Sequence, residues 1–96
     1  MKRFVKFSVH EYMDMYPHTE VRMMEGSSIE HITNDAIDWA KSMTENYSGG
    51  PTHFECIMTK EQAMEYVVDT LKRHRYSSEA REWSVKTLAL VDECYN

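Results

Sequence analysis

The sequence predicts an α+β fold: a small sheet of about three strands with three to four helices packed on it. Three observations carry this. Apolar residues alternate with polar ones over three short segments, which is the period of a half-buried strand. Longer segments repeat apolar residues at three- and four-residue spacing, which is the period of a helix. A serine or threonine followed three residues later by Glu or Gln stands ahead of three helical segments, as a capping box does.

The elements follow in order. In the opening segment Arg3, Val5 and Phe7 fall on one side and Lys2, Lys6 and Ser8 on the other. Phe4 interrupts the alternation and is expected to be partly exposed. Ser8-Val9-His10-Glu11 reads as a capping box, and Val9, Tyr12, Met13 and Tyr16 then give a short helix that stops before Pro17. A continued strand is the competing reading. Residues 20–24 form the second strand, with Val21 and Met23 opposite Glu20, Arg22 and Met24, and Gly26 turns the chain.

Ser27-Ser28-Ile29-Glu30 caps the strongest helix. Its apolar stripe is Ile29, Ile32, Ala36, Ile37, Ala40, Met43 and Tyr47, and Ser48-Gly49-Gly50-Pro51 ends it. Residues 52–58 make the third strand, with Phe54, Cys56 and Met58 inward and His53, Glu55 and Ile57 outward. Thr59-Lys60-Glu61-Gln62 is the third capping box, flanked by Met58 and Ala63 as a hydrophobic staple. The helix it opens turns Ala63, Met64, Val67, Val68 and Leu71 inward and ends in Lys72-Arg73-His74-Arg75. Ser77-Ser78 starts the last helix, whose inner face is Ala80, Trp83, Thr87, Val91 and Cys94, widened by Leu88, Leu90 and Tyr95. The expected core is Val5, Phe7, Ile32, Ile37, Phe54, Val67, Leu71 and Trp83.

Ninety-six residues are enough for one domain, 1–96, and 42% hydrophobic content is enough to fold it. No stretch approaches the roughly 18 apolar residues of a membrane span. The basic start leads into no long apolar run, so it does not read as a secretory signal. Cytoplasmic residence is expected, with Cys56 and Cys94 as buried, reduced thiols.

Site chemistry is sparse. His10 with Asp14, and His31 with Asp35, have the i, i+4 spacing that puts two ligands on one helix face. A metal site needs three or four ligands, and no His-x-x-x-His or Cys-x-x-Cys supplies the rest. Neither a metal nor a cofactor is expected. No Gly-x-Ser-x-Gly elbow is present, and Gly49-Gly50-Pro51 lacks the lysine and helix start of a phosphate loop. An enzyme is therefore not expected.

Charge is the most informative feature. The chain carries a net charge of -5. Its acids concentrate between residues 11 and 70, and a basic patch follows at Lys72, Arg73, Arg75 and Arg81. On the long helix Glu30, Asp38 and Glu45 recur every seven or eight residues, roughly 11 Å apart along the axis, with Asp35 nearby. Such a row can imitate phosphates in a basic groove, or be simply the solvated face of an amphipathic helix. The basic patch can complement a helix dipole, or contact phosphate with the aid of Tyr76 and Trp83.

The expectation is a small acidic regulator that binds a macromolecule. The reading is an inhibitor of the phage anti-defence or host-takeover type, with Glu30, Asp35, Asp38 and Glu45 as partner-binding residues. The expected partner is a protein with a basic site, such as one that itself binds nucleic acid; neither direct nucleic-acid binding nor membrane contact is expected, and self-association is compatible. The alternatives are a nucleic-acid accessory factor using the basic patch, and a small enzyme whose site is assembled across a dimer.

Overall fold

A computed structural model describes residues 1–10, 18–46 and 51–95. The elements are β1 (Lys2–Val9), β2 (His18–Glu25), α1 (Ile29–Asn46), β3 (Thr52–Ile57), α2 (Lys60–Arg73) and α3 (Ser78–Cys94). They form a three-stranded antiparallel sheet and three helices, the α+β class read from the sequence. The short helix expected over Tyr12–Tyr16 falls on 11–17, outside the described residues. Its proposed cap does not form at Ser8, because Ser8 and Val9 are the last residues of β1 and pair with Thr19 and His18 on β2. The chain divides into two compact units, Met1–Ile57 and Met58–Asn96.

In the first unit the strand order is β2-β1-β3, and both pairings are antiparallel. The outer strands therefore run parallel to each other, and α1 is the crossover that a parallel pair requires. α1 packs on one face of the sheet. Val5 and Phe7 of the central strand are fully buried against Ile32, Ala36 and Ala40 of α1, with Met24, Trp39, Phe54 and Ile57 packed around them.

Trp39 is the core residue the sequence reading missed. Its ring lies 4.6 Å from that of Phe7, and the Arg22 guanidinium sits over the Trp39 ring, 4.5 Å from its centre, where a cation meets the negative face of the π-system. The stripe is thus Ile32, Ala36, Trp39, Ala40 and Met43. Ile37 lies about 100° further round the helix than Ala36 and is 37% exposed, and Ile29, the first helical residue, is 45% exposed. Phe4 corrects a second expectation: it is buried. It stands on the opposite face of the sheet from Val5 and Phe7, paired across the ladder with Met23. The central strand thus buries one apolar side chain, Phe4, on the face that otherwise carries Lys2, Lys6 and Ser8, which is why the alternation breaks there.

β3 overturns a third expectation. Its pairs with β1 are Val5–Ile57, Lys6–Cys56 and then Phe7–Phe54, so the register shifts and Glu55 has no opposite residue. That is a β-bulge. One inserted residue reverses the side-chain parity beyond it. Phe54 and Ile57 both reach the Val5–Phe7 core, whereas Cys56 takes the Lys6 face. Both Cys56 and Cys94 are partly rather than fully buried.

The β2-to-α1 turn needs its glycine. A Cβ on Gly26 would stand 2.8 Å from Ile32 Cγ1, which is inside contact distance. α1 then starts one residue later than the capping-box reading placed it. Ser28 Oγ accepts from the His31 backbone N–H at 3.0 Å, and His31, not Glu30, reaches back: Ser27 N–H donates to its Nδ1 at 3.2 Å.

The second unit is a helical hairpin. Three contacts show that α2 and α3 run antiparallel: Lys60 Nζ to Asp92 Oδ1 at 3.1 Å, Tyr66 against Trp83 with ring centroids 6.1 Å apart, and the Tyr95 hydroxyl donating to the Met58 carbonyl at 2.8 Å. The third capping box forms as read: Thr59 Oγ1 accepts from Gln62 N–H, and the Gln62 side chain accepts from Thr59 N–H. Met58 and Ala63, its flanking pair, are both buried, although Met58 lies past the end of β3. Replacing Thr59 by alanine is expected to cost about 1 kcal/mol, read as a lower urea midpoint at unchanged slope. An effect below about 0.3 kcal/mol would show that the box contributes little.

The inner faces of the hairpin are narrower than expected. Ala63 and Val67 are buried on α2 and Leu71 is partly buried, while Met64 and Val68 are each 40% exposed. On α3 the buried residues are Ser84, Thr87 and Val91, and Trp83 is 38% exposed. Ser84 was not foreseen, since serine reads as a cap or surface residue. It is tolerated inside because its hydroxyl donates to the Ala80 carbonyl at 2.7 Å, as that of Thr87 does to Trp83.

Candidate functional site

The acidic side chains follow from the packing of α1. Because Ile32, Ala36 and Ala40 point to the sheet, Glu30, Asp38 and Glu45 fall on the opposite side, within about 80° of one another, and all three are exposed. Glu30 and Glu45 are about 22 Å apart along the axis. Lys41 falls on the same side, between Asp38 and Glu45, so the row reads acid, acid, base, acid.

Asp35 does not belong to that row. It is half-buried and pairs with His31 Nε2 at 3.2 Å. The other His31 nitrogen lies 2.9 Å from Ser27 Oγ and also accepts from Ser27 N–H. A neutral ring protonated on Nε2 satisfies all three contacts, so His31 and Asp35 act together as a brace for the start of α1. His10 and His53 meet edge to face at 6.3 Å, at the end of the β1–β3 ladder. Asp14 lies outside the described residues. Among the described residues no group of three or more His, Cys, Asp or Glu side chains is placed to hold a metal ion.

The basic residues gather at the turn of the hairpin. Lys72 and Arg73 close α2, Arg75 lies in the connection, and Arg81 is in the first turns of α3; all four are exposed. The Arg75 guanidinium stacks 4.9 Å from the Tyr76 ring centre, and Tyr76 is 86% exposed.

One feature of the first unit was not visible in the sequence. A groove of about 500 Å³ opens between the second half of α1 and β3, lined by Ile37, Ala40 and Phe54 together with Lys41, Glu45 and His53. Thr44 joins its two sides. Its hydroxyl oxygen accepts from Thr52 N–H at 2.9 Å, and its proton is shared between the Ala40 and Thr52 carbonyls.

Among the described residues no helix is long and apolar enough to cross a membrane. In comparisons with known proteins, no family model, no curated protein and no solved structure matches the chain. The fold and these surfaces therefore define it as an α+β protein with an acidic helix and a basic hairpin turn, and its function has to be argued from them.

Proposed function

We propose that this chain is a non-enzymatic, inhibitor-type regulator that binds a target protein and covers a basic site on it, in the manner of phage proteins that block host defence or host enzymes. The observation that supports this reading is the solvent side of α1. Glu30, Asp38 and Glu45 are held on a rigid helix, exposed and in line, by a core on the other side of the same helix. Rigid presentation matters because a charge row that need not be ordered on binding loses less entropy. The phage-type role rests on small size and acidic charge alone.

The test is a triple variant, Glu30→Gln, Asp38→Asn and Glu45→Gln, which removes the charge of the row and leaves the Asp35–His31 brace intact. The partner is first isolated by affinity capture from cells of the source organism and identified by mass spectrometry. Association with the purified partner is expected to slow about tenfold or more at low salt, with a smaller change at moderate salt, because long-range attraction chiefly raises the on-rate. Unchanged association at both salts, with unchanged circular dichroism, would eliminate the reading.

A second reading has one specific support: Tyr76 lies open to solvent beside Arg75, where a base could stack. It predicts direct, salt-sensitive retention of DNA or RNA that Arg75→Gln with Tyr76→Ala abolishes.

A further inference from the structure

We infer that the groove between α1 and β3 takes a large apolar side chain, of the phenylalanine class, carried by a basic segment of the partner protein. This deepens the docking reading above and rests on it. Ile37, Ala40 and Phe54 give the groove an apolar lining, and Ile37 is 37% exposed there although it is a large aliphatic side chain. The polar group joining its two sides is already used. Thr44 accepts one hydrogen bond, and its single proton goes to carbonyls of the protein itself. The side chains of Ile37, Ala40 and Phe54 offer no hydrogen bonds, so whatever part of an occupant lies against them loses its water without replacement if polar and loses nothing if apolar.

Charge complementarity selects the segment that brings it. Lys41 lies three residues after Asp38 and four before Glu45, both one turn away on the same helix. The three together are net acidic. Glu45 lines the groove itself and continues the acidic row that begins at Glu30. An apolar residue flanked by arginine or lysine would thus place its side chain in the groove and its cations along α1. Size agrees, since about 500 Å³ is ample for one aromatic side chain with its adjoining backbone. A single anchored aromatic surrounded by weaker charged contacts is also how binding energy concentrates in protein interfaces.

The experiment uses the full chain, isotope-labelled, titrated with two synthetic peptides, acetyl-Arg-Arg-Phe-Arg-Arg-amide and its Arg-Arg-Ala-Arg-Arg counterpart. The phenylalanine peptide is expected to bind roughly tenfold tighter or more, as burial of an aromatic side chain implies. Its amide shifts should centre on Ala40, Thr44 and Phe54. Ile37→Ala should remove most of the advantage. Ile29→Ala, which alters an exposed isoleucine of the same helix that does not line the groove, should leave it intact. Equal binding of the two peptides overturns the groove inference and, if that binding falls with salt, leaves the acidic-face reading standing. An advantage that ignores Ile37→Ala, with shifts elsewhere, overturns it as well. Binding of neither peptide overturns both.

Discussion

Replacing Phe7 by alanine is expected to cost about 3–5 kcal/mol, the largest effect of any single truncation in the Met1–Ile57 unit. Phe7 has no exposed surface. It sits on the central strand, its ring 4.6 Å from Trp39 on α1 and 6.3 Å from Phe54 on β3. It therefore joins three elements at once, and alanine would leave a cavity that neither a flanking strand nor the helix can fill without losing register. A loss of that size is comparable with the whole stability of a small domain. The measurement is urea denaturation of Phe7→Ala, followed by the fluorescence of Trp39 in a Trp83→Phe background. Phe7→Leu, which keeps most of the volume, should retain a cooperative transition at a lower midpoint. A cost below about 1 kcal/mol for Phe7→Ala would place the centre of the core elsewhere.

The elements that local chemistry decides were legible in the sequence. Thr59 and Gln62 form their capping box because that motif closes within four residues and needs no tertiary partner. Val5, Phe7, Ile32 and Val67 are buried as their periodicity indicates. What was not legible depends on which neighbour a surface meets. Ile37 and Trp39 lie about 160° apart around α1, on opposite flanks of the Ile32–Ala36–Ala40 stripe, and the rotation of the helix decides which of them is turned to the core. Hydropathy favours the isoleucine, but the sheet presents Phe7 and Arg22, which an indole can contact together. On α3, Ser84 is inside and Trp83 partly outside, although a reading by residue type gives the reverse. Phe4 shows that a break in alternation can mean a single buried residue on the otherwise polar face of a strand.

The candidate site divides in the same way. The exposure of Glu30, Asp38 and Glu45 follows from the stripe on the opposite side of α1 and could be read directly. Asp35 could not be separated from them, because its tie to His31 depends on where the helix begins. The groove could not be read at all, since it exists only when α1 and β3 are juxtaposed and Thr44 joins them.

Ile57→Ser is expected to cost about 2 kcal/mol and Cys56→Ser less than about 1 kcal/mol, an order opposite to that of simple alternation along β3. Counting by twos from Phe54 puts Cys56 in the core and Ile57 in solvent. The bulge at Glu55 reverses this: Ile57 pairs with Val5 and packs on the core cluster, and Cys56 pairs with Lys6 on the other face. Ile57 is partly rather than fully buried, so its loss should fall at the low end of aliphatic truncations. Serine introduces a hydroxyl at both sites, so the comparison holds the new group constant and varies the face. A shared error in the denaturant extrapolation also cancels when midpoints are compared at equal slope. Glu55 itself pairs with Lys6 Nζ at only 3.5 Å on a half-exposed surface, so charge is not what holds the bulge in place. The apolar demand of Phe54 and Ile57 for one face is what holds it: two residues three apart can share a face of a strand only when an extra residue lies between them. If Cys56→Ser proves the more damaging of the two, the register shift does not exist and β3 pairs as a regular strand.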